Sequence, residues 1–164
     1  MKKLIYLLPF LFFGTILRAQ DYNTAIGLRA GETSGLTIKK SIGNSSALEG
    51  ILGFWRHGVS ATLLYERYMP TANIAGLSWY YGGGGHAAFE NTFYRGYYWY
   101  NGDRYYYYEN GGMGLGIDGI VGLEYKIPRA PIAFSLDIKP FVEFNTNGGV
   151  WTSFDPGLGL KVAF

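Results

Sequence analysis

Residues with reactive side chains are few in this chain, which has two histidines and no cysteine. His57 stands close to Ser60, with Glu66 further on, and a nucleophile, a base and an acid can be drawn through the three. The same residue types are ordinary in a polar turn and the strand that follows it. His86 comes after Gly82–Gly85; a glycine run that cradles phosphate should open a helix, and this one does not, so it reads as a flexible strand exit. Two distant histidines supply no metal-ligand cluster, and the DGI at Asp118–Ile120 lacks the later oxygen ligands of a calcium loop. No catalytic, cofactor-binding or metal-binding set is assigned.

Aromatic rings are concentrated instead. Between Tyr94 and Asn110, eight of seventeen residues are tyrosine. At its centre Asn101–Gly102 signals a two-residue type I′ turn, which needs positive φ at both positions. Such a turn pairs Tyr100 with Asp103, Trp99 with Arg104, Tyr98 with Tyr105, Tyr97 with Tyr106 and Arg95 with Tyr108. A hairpin over about 93–110 would hold the rings by cross-strand contacts worth roughly 0.2–1 kcal/mol each. Rigid amphipathic rings also suit binding loops, so Tyr97, Tyr98, Trp99, Tyr100, Arg104, Tyr105 and Tyr106 form a candidate recognition surface for an extracellular glycan or protein.

The elements that must carry these residues show in the alternation of apolar with polar or small residues, the two-residue period of strands. Eight segments carry it, at about 23–31, 35–42, 47–57, 59–68, 74–83, 114–126, 132–143 and 157–164. In the seventh, Ile132, Phe134, Leu136, Ile138 and Val142 share one face, and Ser135, Asp137, Lys139 and Glu143 the other. Pro140 interrupts that segment on its apolar face, marking a bulge or the strand's outer end. The 25 glycines and the 18% aromatic content agree with an all-β chain.

Period alone leaves two barrels open: a soluble lipocalin-like barrel with its apolar face inside around a ligand, or a membrane barrel with that face outside. Three features favour the second. The mid-strand charges, Arg29, Lys39, Lys139 and Lys161 with Glu49, Glu66, Asp118, Glu124, Asp137 and Glu143, form a nearly matched set, as a narrow interior requires. Charges on the apolar parity, Lys40, Arg56 and Arg67, fall at strand ends, where long side chains can snorkel and where Tyr65, Trp79, Tyr81 and Tyr125 supply aromatic girdles. The turns near 43–46, 69–73 and 127–131 are all short, whereas the opposite side holds two short loops and two longer ones at 84–113 and 145–156, the pattern of short periplasmic turns with longer outer loops. Eight strands enclose an interior just wide enough for side chains to fill, so no open channel is expected.

The last residues, GLGLKVAF, place apolar side chains at 158, 160 and 162 before a terminal Phe164. They resemble the C-terminal signal read by the bacterial outer-membrane assembly machinery. The layout of the chain is similar to the small OmpA/OmpX-type barrels of Gram-negative bacteria. That resemblance implies a cell outer-membrane location, assembly by that machinery, and contact with outer-membrane lipid and lipopolysaccharide. It implies no catalytic residues, although some eight-stranded barrels of that membrane modify lipid A.

The N-terminus agrees with export. Lys2 and Lys3, an apolar run from Leu4 to Phe13 and a polar stretch up to Ala19 have the layout of a signal peptide over 1–19, leaving a barrel domain over 20–164. Of the 14 basic residues, Lys2, Lys3 and Arg18 lie in the leader, so 11 remain against 12 acidic ones. That balance offers no electrostatic footprint for nucleic acid. The sequence thus predicts an all-β, eight-stranded antiparallel up-and-down transmembrane barrel. It is expected to be a monomer with a filled polar lumen, structural or adhesive in role.

Overall fold

The structure is a computed structural model that describes residues 23–55, 58–71, 74–90, 93–109, 111–146 and 150–164. The segment 1–19 expected to be a signal peptide, and Arg56 and His57, lie outside the described residues. The strands are β1 (Thr24–Gly31), β2 (Ser34–Gly43), β3 (Ser46–Trp55), β4 (Gly58–Pro70), β5 (Leu77–Glu90), β6 (Phe93–Tyr100), β7 (Asp103–Glu109), β8 (Met113–Lys126), β9 (Ile132–Asn145) and β10 (Val150–Ala163). Eight of them close into an antiparallel barrel in the order β1-β10-β9-β8-β5-β4-β3-β2, and β6–β7 form a separate two-stranded sheet.

Closure is made where the chain ends meet. β1 and β10 pair from Ala25↔Ala163 to Gly31↔Gly157, and Phe164 donates its backbone N–H to the Thr24 carbonyl at 2.9 Å. A closed sheet leaves no unpaired edge, the condition for a β-structure in hydrocarbon. Every strand pair in the ring is a sequence neighbour except β5–β8, which brackets the hairpin, and β1–β10, which closes the ring.

Two strands extend at one end by about seven residues beyond the alternation. β5 runs through Gly82–Gly85 to Glu90, paired on one side with β4 and on the other with β8; the glycine run is a strand interior, not a strand exit. Gly76, expected inside this strand, sits in the turn before it at φ 86°. β10 begins at Val150, so most of the predicted loop 145–156 is strand.

Pro140 neither ends β9 nor shifts its register. β9 pairs with β10 at Pro140↔Phe154. On the β8 side, Asp118↔Phe141 and Val121↔Ile138 keep one register across the proline. The imino residue has no N–H to donate, so it interrupts the ladder locally without a bulge.

The faces are inverted relative to a soluble protein. Ile117 is 68% exposed, Phe154 66% and Leu28 60%, whereas Lys39 is 1% exposed and Glu66 fully buried. The apolar parity of every barrel strand points outward, and the charged parity fills the interior. A soluble ligand-carrying barrel needs the opposite arrangement.

Candidate functional site: the charged lumen and the hairpin

The lumen is filled by two linked ion-pair clusters. Nearer the chain termini, Lys39 Nζ lies 2.8 Å from Glu49, 2.8 Å from Glu66 and 3.2 Å from Glu124. Lys161 Nζ lies 3.0 Å from Glu49 and 3.8 Å from Glu124. Tyr68 donates its hydroxyl to Glu66 at 2.9 Å, and Thr37 donates to Glu49. The Lys39 ammonium also sits 4.7 Å from the Tyr80 ring centroid. Tyr80 is stacked on Tyr68 at 5.2 Å. An ammonium removed from water is tolerated only when so surrounded.

The second cluster spans the middle and the far half. Arg29 reaches Asp137 at 2.6 Å and Asp155 at 2.8 Å. Lys139 pairs with Asp118 at 3.1 Å and lies 3.6 Å from Asp155. His86 Nδ1 is 2.8 Å from Asp118 and its Nε2 is 3.0 Å from Glu143, so one ring ties β5 to both β8 and β9. Its edge meets Phe141. The β8 wall makes room for this: a Cβ on Gly116 would fall within the His86 ring, and one on Gly114 within the Glu143 carboxylate.

The lumen residues expected from sequence, Arg29, Lys39, Glu49, Glu66, Asp118, Glu124, Asp137, Lys139, Glu143 and Lys161, all face this interior. Asp155, Tyr68 and Tyr80 join them without a signal singled out in the sequence, and His86, expected on the interior parity near the mouth with a lumen hydrogen bond, joins them with two. Asp155 lies in a stretch of Asn, Gly and Pro that has the composition of a loop. Its parity with Gly157, Gly159 and Lys161 was the available signal. The lumen opens at the terminal end into a polar cavity of about 330 Å³ lined by Lys39, Tyr68, Ser78, Glu124 and Lys126.

Of the serine, histidine and carboxylate that the sequence offers, His57 lies outside the described residues, and Ser60 and Glu66 do not meet. Ser60 and Glu66 both face inward from β4, but six residues of strand separate them by roughly 20 Å. Glu66 is engaged by Lys39 and Tyr68. Among the described residues no group of histidines and carboxylates is arranged to hold a metal ion.

In the hairpin, β6 and β7 pair Tyr100↔Asp103, Trp99↔Arg104, Tyr98↔Tyr105 and Tyr97↔Tyr106 around Asn101 (φ 50°) and Gly102 (φ 87°). The register then shifts between Tyr94 and Gly96, and Tyr108 faces Tyr94. The expected Arg95–Tyr108 pair is therefore replaced by a bulge at Arg95.

An apolar exterior over a closed, charge-filled ring is stable only with hydrocarbon around it. The chain has the fold of an eight-stranded outer-membrane barrel. Its fold is similar to the N-terminal β-barrel domain of Pseudomonas aeruginosa OprF, with a TM-score of 0.53 and 15% identity over 88% of this chain and 100% of that one. It is also similar to Neisserial surface protein A (NspA), at 0.50 and 12% over 86% and 93%. No family description and no curated protein matches the sequence. Tyr65, Trp79, Tyr81 and Tyr125 lie outward near the end that carries the termini, as an aromatic girdle requires. Phe164 also points outward there, beside the closure seam.

Proposed function

We propose that this barrel is a structural and adhesive surface protein. Its filled lumen anchors and stiffens the wall, and its β6–β7 hairpin contacts an extracellular glycan or protein. The observation that carries the reading is the hairpin's separate sheet, set on the longest connection of the barrel opposite the chain termini. A long connection on that side faces outward in barrels whose termini lie in the periplasm. Cross-strand pairing orders the tyrosines in advance and lowers the entropic cost of contact. The lumen charges serve stability; binding resides in the hairpin.

The test replaces residues 93–110 by a short glycine-serine turn and compares bacteria bearing either form on glycan arrays and on immobilised matrix proteins. Binding should fall to background while the shortened barrel still shows a shift in mobility on boiling. Equal binding by both forms would remove the hairpin from the function.

A further inference from the structure

Every acidic residue placed on a barrel strand lies on the lumen parity, yet two cations lie on the lipid-facing parity, Lys40 on β2 and Arg67 on β4. Both sit towards the end that carries the chain termini. Neither makes an ion pair among the described residues. Across β3, Lys40 is opposite Leu48, Leu48 is opposite Tyr65, and Ser46 is opposite Arg67. Two strand spacings and a two-residue offset set the cation-bearing Cα atoms roughly 10–12 Å apart, within convergent reach of two long side chains. Between them the Ser46 and Tyr65 hydroxyls are hydrogen-bonded to one another at 3.0 Å on the exposed wall. Tyr81, opposite Arg67 on β5, is stacked with Trp79 at 5.6 Å between ring centroids. These rings fix the depth of the group at the membrane–water boundary.

We propose that Lys40, Arg67, Ser46 and Tyr65 form a binding site for the phosphate of an anionic phospholipid in the leaflet at the terminal end. Two cations flanking two hydroxyls match a phosphodiester in charge and in hydrogen-bonding capacity. The wall beside them is apolar, with Leu48 and Leu63 outward, and takes the acyl chains. The phosphate satisfies two cations that no carboxylate among the described residues engages. The site thus selects anionic over zwitterionic lipid, whose ammonium would compete for the phosphate and bring a positive charge against Lys40 and Arg67.

Native mass spectrometry of the detergent-purified barrel, titrated with phosphatidylglycerol or phosphatidylcholine, tests this. Soluble glycerophosphoglycerol serves as a third arm. Wild type should retain phosphatidylglycerol preferentially, with a loss of about fivefold for each of Lys40→Gln and Arg67→Gln, and no preference in the double variant. Both substitutions lie on the outer wall, and unheated gel mobility verifies that each barrel is closed. Equal retention of both lipids by wild type, or a preference that survives in the closed double variant, would overturn the proposal. Retention of the soluble headgroup as strongly as the lipid would assign the site to free phosphate esters instead.

Discussion

Replacing Lys39 by methionine isolates the energetic role of the lumen. The ammonium is 1% exposed and is the shared partner of Glu49, Glu66 and Glu124. Methionine keeps most of the volume and removes the charge. Lys161 still reaches Glu49 and, at 3.8 Å, Glu124, but Glu66 keeps no ion-pair partner among the described residues. Removing one partner of a buried pair costs about 3–5 kcal/mol, because the remaining charge stays desolvated. With a urea dependence of about 2 kcal/mol per molar, the unfolding midpoint should fall by roughly 1.5–2.5 M. The assay is equilibrium unfolding of the barrel in lipid vesicles, read by tryptophan fluorescence and by the fraction of folded-mobility band. Adding Glu66→Gln to Lys39→Met should recover a large part of the loss, since the amide needs no counter-charge. A Lys39→Met midpoint within 0.3 M (about 0.6 kcal/mol) of wild type would refute the argument that the lumen is held by its ion pairs.

Other substitutions probe separate parts of the structure. Asp155→Asn should cost less than Lys39→Met, about 1–3 kcal/mol in the same assay, because Arg29 keeps Asp137 and Lys139 keeps Asp118. Gly116→Val should displace His86 from Asp118 and Glu143, lowering the folded fraction after refolding, because a Cβ there meets the ring on a packed wall. Gly102→Val, at φ 87°, should weaken the hairpin by about 1–3 kcal/mol; protease cleavage within 93–109 should accelerate while barrel mobility is unchanged. Pro140→Ala restores a backbone donor to the interrupted β8–β9 ladder and should raise the urea midpoint slightly, by about 1 kcal/mol of stability.

Much of this fold is legible in the sequence because the two faces of each strand meet opposite solvents. Where side chains carry the contrast, as from Ile132 to Lys139 or from Ile117 to Lys126, strand and face follow directly. Gly82–Gly85 hides its strand because glycine has no side chain to alternate; only the ladders on both sides show it. Asp155–Pro156 looks like a loop because proline and aspartate favour turns in water. In the barrel, Asp155 meets Arg29 inside, and Pro156 lies on the outer wall. The lumen charges could be named from their parity, but not their partners, since pairing across the interior depends on strand stagger. The places of Tyr68 and Tyr80 are not legible for a related reason: tyrosine suits a membrane girdle as well as a lumen, and the pattern does not separate the two. The Asn101–Gly102 turn fixed four hairpin pairs locally, and the bulge at Arg95 lay beyond its reach.

The closed ring of strands turns its apolar face to the membrane. Gel mobility of the protein from the membrane fraction of a Gram-negative host, unheated against boiled, tests it most directly. The unheated outer-membrane sample should give a compact band that shifts on boiling, as a detergent-resistant closed barrel requires. A protein recovered in the soluble fraction, with one mobility before and after boiling, would contradict it.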